Sequence, residues 1–186
     1  MISRAILKKL AAFVVLLPGL AFAAPQPLAI APAAQQPFIG ENFSIQLAFD
    51  NNATDTGYGP FLDIVLPVNG SDGVAGVGAD GVDIVGGAEY LEVAVNPIVK
   101  TFPADGGGTG CVEHEFAVDN TGIPLQVCGT TGDKLVTIEL PFGSFVPDQP
   151  AAMIDLNLSM NNLADLGTDL ALSSRAGFRF GADAQD

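Results

Sequence analysis

The chain contains few of the residues on which catalysis and nucleic-acid binding usually depend. It has no tryptophan, one histidine, two cysteines, and seven basic residues against 21 acidic ones, which gives a formal net charge of −14. Such a chain repels the phosphates of nucleic acids and anionic membrane surfaces. A single histidine is too few for a histidine-based zinc site, and an imidazole-activated nucleophile would have to use His114. We therefore expect neither nucleic acid nor zinc as a partner.

The sequence also lacks the rest of a catalytic apparatus. No G-x-S-x-G nucleophile motif occurs. Glu113 and Glu115 flank His114 in a strand-like run, so we expect the imidazole to point away from both and to serve in surface or cross-strand packing. Carboxylate pairs could hydrolyse glycosides, but 21 acidic residues make such pairs inevitable, and no tryptophan platform accompanies them. We therefore expect that the protein is not an enzyme. A secreted hydrolase, which needs two carboxylates in a deep cleft, is kept as an alternative and ranks below the two binding functions given at the end of this section.

Residues 1–23 have the pattern of a signal peptide. Arg4, Lys8 and Lys9 precede the apolar run 10–20, which is too short to span a bilayer, and Ala21-Phe22-Ala23 follows as a cleavage signal. We predict cleavage after Ala23, with an uncleaved anchor as the alternative. The mature chain would keep four basic residues and all 21 acidic ones, a net charge of −17. It would be secreted or held at the cell surface, without membrane insertion.

Acidic residues concentrate in a glycine-rich stretch, "NGSDGVAGVGADGVD" at 69–83. Glycines let the backbone fold tightly, so that Asp72, Asp80 and Asp83 could converge on one calcium ion, with Asp55 reaching in from a neighbouring loop. The stretch does not match the D-x-D-x-D-G calcium loop. A solvated acidic turn, and solubility in a salty medium, are the alternatives.

The mature chain reads as one all-β domain. In "NFSIQLAFD" (42–50) apolar and polar residues alternate with period two, which is typical of a half-buried strand. A Pro/Ala-rich leader at 24–37 is interpreted as flexible or as an edge strand, and residues 38–186 as an antiparallel β-sandwich of roughly ten strands. The stretch "DNNATDTGYGP" (50–60) is interpreted as a turn between two of them. The other predicted strands lie at 61–67, 81–87, 88–95, 97–102, 111–118, 124–128, 134–141, 152–160, 168–174 and 176–182.

Cys111 and Cys128 are the two cysteines, and in a secreted chain we predict a disulfide between them. The intervening residues read as two strands joined by a turn at "DNTG" (119–122). Pairing the cysteines places Val112 opposite Val127 and Glu113 opposite Gln126. The crosslink is worth ~3 kcal/mol in the chain-entropy model.

Two stretches together resemble a known family. "GENFSIQLAFDNNATDTGYGPFLDIVLP" (40–67) resembles the opening of bacterial extracellular repeat modules of the domain-of-unknown-function 11 type. "CGTTGDKLVTIELPFGSFVPDQPAAMIDLNLSMNNLADLGTDL" (128–170) is similar to a segment near the N-termini of large multi-repeat surface proteins. The resemblance implies an immunoglobulin-like, Greek-key sandwich at the start of a longer surface protein, and it brings no catalytic residues.

These observations predict a non-catalytic structural or adhesive module at the cell surface. Its loops would contact a surface protein or glycan whose identity the sequence does not give. The alternative is a calcium-dependent carbohydrate-binding module that uses Tyr58, Tyr90 and nearby acidic loops. An exposed aromatic patch beside a calcium site would favour that alternative.

Overall fold

The chain is an antiparallel, immunoglobulin-like β-sandwich, as its spacing of strands predicts. A computed structural model describes residues 26–30, 34–70, 79–119, 121–164 and 167–180, so the predicted signal peptide lies outside the described residues. Within those ranges no helix is long and apolar enough to cross a bilayer. The strands are β1 (Pro27–Ile30), β2 (Asn42–Asn51), β3 (Gly57–Leu66), β4 (Val82–Tyr90), β5 (Val93–Val95), β6 (Ile98–Thr101), β7 (Thr109–Val118), β8 (Pro124–Thr130), β9 (Lys134–Glu139), β10 (Ser144–Phe145), β11 (Ala152–Met160) and β12 (Ser173–Phe180).

Two sheets form the sandwich. Sheet A has the order β1-β2-β11-β4-β5, and sheet B has the order β10-β3-β9-β6, with β12 also paired to β3. All of these pairs are antiparallel. Consecutive strands β2 and β3 lie in different sheets, and β11 returns late in the chain to lie between β2 and β4. The chain therefore passes between the sheets, as in Greek-key sandwiches.

The main core lies between sheets A and B. The alternation in β2 sends Ile45, Leu47 and Phe49 inward, where each is at most 2% exposed. The Phe49 ring packs edge-on against Phe145 and Phe178, at centroid distances of 5.1 and 5.3 Å. Burial of each such side chain stabilises the fold by roughly 1.5–3 kcal/mol. The other core residues are contributed mainly by β3, β9 and β11: Leu62, Ile64, Leu66, Val136, Ile138, Ile154, Leu156 and Leu158.

The β7–β8 hairpin forms a third layer on the outer face of sheet B. It is a separate two-stranded sheet, and Val127 of β8 joins Phe102 and Leu135 in a small apolar cluster. Rings from β7 lie against Phe61 of β3. Gly177 of β12, opposite Phe61 in the same sheet, leaves room for that ring, since a Cβ atom there would lie 2.0 Å from it.

Two of the predicted strands differ from the structure, and the leader adopts one of its two predicted alternatives. The break predicted after Gly87 is absent, because β4 continues to Tyr90 and the turn falls at Leu91 and Glu92, which both have positive φ (48° and 63°). The strand predicted at 168–174 is wrong over most of its length, since β12 starts only at residue 173. In the leader, residues 27–30 form the edge strand that was one of the two alternatives.

Candidate functional site

The disulfide and its register are confirmed. Cys111 and Cys128 are bonded, and the ladder pairs Val112 with Val127 and Glu113 with Gln126. At the tip of the hairpin, the Asp119 carboxylate accepts hydrogen bonds from the hydroxyl and the backbone N–H of Thr121 and from the backbone N–H of Ile123. These bonds lower the pKa of Asp119. The hairpin therefore has a covalent link at one end and a hydrogen-bonded turn at the other.

His114 points away from Glu113 and Glu115, as predicted, but the surface position that we considered for it is wrong. Its side chain is fully buried beneath the hairpin, while both glutamates are exposed. Its Nε2 atom lies 2.8 Å from Oδ2 and 3.0 Å from Oδ1 of Asp63 on β3. The imidazole therefore joins the third layer to sheet B.

The hydrogen-bond partners define the protonation of this imidazole. The backbone N–H groups of Phe116 and Ala117 both donate to Nδ1 of His114, at 3.0 and 2.7 Å. An atom that accepts two hydrogen bonds carries no proton of its own, so Nδ1 is unprotonated and Nε2–H donates to the Asp63 carboxylate. The pair is thus a neutral imidazole bonded to a carboxylate.

Two further side chains support the buried Asp63 carboxylate. The Thr137 hydroxyl on β9 donates to Oδ1 at 2.8 Å, and an Nη atom of Arg175 on β12 lies 3.9 Å from Oδ2. Asp63 and Thr137 are each only 2% exposed. A buried carboxylate needs hydrogen bonds and a counter-charge to offset its lost hydration. Four strands in two layers therefore meet at Asp63.

Asp63, His114 and Thr137 are the residue types of a catalytic triad, but their connectivity differs. In such a triad the hydroxyl donates to one imidazole nitrogen while the carboxylate holds the other. Here the Thr137 hydroxyl donates to Asp63 instead, and backbone N–H groups occupy the second nitrogen of His114. The arrangement joins two layers of the fold and presents no hydroxyl to the imidazole.

One predicted calcium ligand, Asp55, lies apart from Asp80 and Asp83. Asp55 precedes the ten-residue β3, whereas Asp80 lies against Gly70, beyond the other end of that strand. Ten residues of strand span ~33 Å. Asp83 is paired with Lys134, whose Nζ is 2.6 Å from Oδ1. Asp72 lies outside the described residues, and among those described no three His, Cys, Asp or Glu side chains could hold one metal ion. Calcium at Asp72, Asp80 and Asp83 stays a prediction.

A second buried polar group lies at this end of the sandwich. The backbone and side-chain N–H groups of Asn69 donate to Oδ1 of Asp133, at 3.1 and 3.3 Å, and its side chain also donates to the Thr131 carbonyl. Burial raises the pKa of Asp133. The group fastens the loop after β3 to the turn before β9.

The two tyrosines of the carbohydrate alternative lie at the opposite end from Asp80 and Asp83. Tyr58 is half exposed at the start of β3. Tyr90, at the end of β4, packs against the Phe142 ring at 5.3 Å. The exposed Tyr58 ring therefore lies apart from Asp80 and Asp83, whereas Asp55 lies at the same end of β3 as Tyr58.

Comparison with known proteins identifies no relative: no protein-family model, curated protein or solved structure matches the chain. The resemblance to modules of the domain-of-unknown-function 11 type therefore stays a prediction that rests on the two stretches quoted above.

Proposed function

We propose that the chain is a non-catalytic structural or adhesive module that works outside the cytoplasm, as the N-terminal domain of a larger surface protein. The signal-like segment at 1–23 supports export. The disulfide supports the same location, because such bonds persist in oxidising compartments. The partner would be a surface protein or a glycan that contacts the loops.

The proposal that the module is non-catalytic rests on one observation: its buried polar side chains make their hydrogen bonds to other groups of the fold. Both nitrogens of His114, the chain's single imidazole, are occupied by partners within the fold. The Asp63 carboxylate is shared among His114, Thr137 and Arg175. Groups committed to packing in this way add stability and specify how the layers dock.

Stability measurements distinguish this proposal from a catalytic one. Replacing catalytic groups often leaves a protein equally or more stable, because active sites are held at a cost in stability. His114→Ala would instead leave the Asp63 carboxylate without its main partner, so we expect a loss of about 3 kcal/mol in urea unfolding. Glu113→Ala, at the neighbouring exposed position, should change stability by less than about 0.5 kcal/mol. A His114→Ala protein as stable as the wild type would contradict the proposal.

Export is tested by expressing the full chain in a bacterial host. We expect a product outside the cytoplasm that begins at Ala24 and contains the Cys111–Cys128 disulfide. The double variant Val15→Arg/Leu16→Arg, which interrupts the apolar run, should remain in the cytoplasm. Equal export of both chains, or retention of both, would argue against the proposed location.

The carbohydrate alternative is not advanced as a second function. Its exposed ring, Tyr58, lies at the end of the sandwich opposite Asp80 and Asp83, and the Tyr90 ring is packed on Phe142. Asp55 lies near Tyr58, but among the described residues no three His, Cys, Asp or Glu side chains come together to hold a calcium ion.

A further inference from the structure

A cavity opens at the end of the sandwich where β2 begins and β11 ends. Its volume is about 680 Å³, and it lies between two segments outside the strands, 34–39 and 167–172. Small-molecule sites in proteins are typically concave and occupy roughly 300–1,000 Å³. The cavity is therefore large enough for an organic molecule.

The floor of this cavity belongs to the main core. Ile45 and Val82 line it, and these residues are 2% and 3% exposed. The walls include Phe43, Met160 and Leu170, which are partly buried and pack against the same core. A ligand that enters would contact the accessible parts of these three side chains, and the removal of their apolar surface from water favours binding of an apolar body.

Backbone hydrogen bonds fix one rim of the cavity. Glu41 N–H donates to the Phe38 carbonyl, and the Glu41 carboxylate accepts from Phe38 N–H at 2.7 Å. Gly40, with φ of 74°, donates its N–H to the Met160 carbonyl of β11. The turn holds the Phe38 ring at the cavity while leaving it 81% exposed. A rim formed before binding reduces the entropy lost when a ligand binds.

The polar groups at the cavity select the charge of a ligand. Gln35, Gln36 and Thr168 are neutral, and Asp169 is the one charged side chain among the described residues that line it. No described lining residue is basic. The formal net charge of −14 adds a field that repels anions from the whole molecule and attracts cations.

We propose that this cavity binds a cationic amphiphile, a small molecule with an apolar body and an ammonium or amidinium head. The body would lie against Phe43, Met160 and Leu170, above the buried Ile45 and Val82, and the head would lie at the mouth near Asp169. This cavity does not include His114, Asp63 or Thr137. The binding proposal can therefore be tested independently of the structural function proposed above.

Methionine methyl NMR tests this proposal with a built-in control. Met160 lines the cavity, whereas Met153 lies on the same strand, 42% exposed and outside the lining. The protein, starting at Ala24, is labelled at the methionine methyl carbons, and Met153→Leu assigns the two signals. Octyltrimethylammonium, octyl sulfate and octanol are titrated in turn, the two charged compounds well below their micelle-forming concentrations and octanol below its solubility limit.

We expect the ammonium compound to shift the Met160 signal saturably and to leave Met153 unchanged. It should bind about fivefold more tightly than the sulfate, the scale of an exposed charge pair. Leu170→Trp, which fills the cavity, should abolish the shift, whereas Leu163→Trp, at an exposed position outside the lining, should preserve it. Asp169→Asn should remove the preference for the cation.

Three results would overturn the proposal. One is no Met160 shift with any compound, and another is an equal shift of Met153, which indicates general detergent action. The third is binding of octyl sulfate as tight as that of the ammonium compound, which would refute the assignment of a cationic head.

Discussion

The two interfaces of sheet B are built differently. Toward sheet A it presents mainly apolar side chains, among them Leu62, Ile64 and Phe178, which are at most 1% exposed, and the partly exposed ion pair of Lys134 with Asp83 joins β9 to β4. Toward the β7–β8 layer it presents a small apolar cluster together with the buried polar groups of Asp63 and Thr137. The first face is mainly apolar, whereas the second adds a buried, hydrogen-bonded carboxylate.

The difference follows from the size of each layer. A two-stranded hairpin is at best marginally stable alone in water, since it has too little apolar surface to offset the entropy of ordering it. The β7–β8 layer is such a hairpin, and it carries the disulfide and the His114–Asp63 bond. The disulfide joins β7 to β8 within the hairpin, and the His114–Asp63 hydrogen bonds fix its docking position on sheet B, whereas apolar contact is non-directional.

The largest expected effect lies in the main core. Leu156 of β11 is fully buried between the sheets, so Leu156→Ala should cost about 3–5 kcal/mol in urea unfolding. Its control is Met153→Ala on the exposed face of the same strand, which should cost less than about 1 kcal/mol. Similar losses for both variants would contradict the position of the core.

The disulfide should contribute nearly as much to the free energy of unfolding as Leu156 does, and its effect should be confined mainly to the β7–β8 layer. In the double variant Cys111→Ser/Cys128→Ser, we expect a loss of about 3 kcal/mol, because the crosslink restricts the unfolded chain. Limited proteolysis should then cut first between residues 111 and 128. First cuts within β2 or β11 would show that the hairpin does not depend on this link.

A smaller effect is expected from the Thr137 hydroxyl. Thr137→Val removes the hydrogen bond to Asp63 while keeping the shape of the side chain, so the loss should be about 1–2 kcal/mol. Thr101→Val, at an exposed position on the neighbouring strand β6, is the matched control and should be nearly neutral. Equal losses of stability in Thr137→Val and Thr101→Val would mean that the Thr137–Asp63 hydrogen bond does not stabilise the fold.

The smallest effect concerns Asp133 and depends on pH. Burial raises its folded-state pKa above the ordinary 3.8, so the folded protein binds the proton more readily than the unfolded chain. Stability at this site is therefore highest below pH 3.8 and falls as the pH rises through the raised pKa. Asp133→Asn keeps an acceptor for Asn69 and removes the charge. It should be more stable than the wild type at pH 7, and this advantage should vanish in acid; a constant difference would contradict the cause given.

The sequence predicts features that depend on near neighbours. Alternation in β2 identifies its buried face, and the two cysteines define the hairpin register. The Asp63–His114 bond joins residues 51 positions apart, and no local pattern indicates which strand the hairpin covers. The one hint is that Asp63 is a lone charge in the apolar run "FLDIVLP". The turn at Leu91 and Glu92 was missed because glycine is the usual residue at positive φ.

Hydrogen exchange of the backbone amides in wild type and His114→Ala tests the central claim that directed bonds hold the third layer. The amides of Phe116 and Ala117 donate to His114, so they report on this bond directly. We predict that these amides and their neighbours in β7 and β8 lose far more protection than amides of β2 and β11. An equal loss across all four strands, or no loss in the hairpin, would contradict the account.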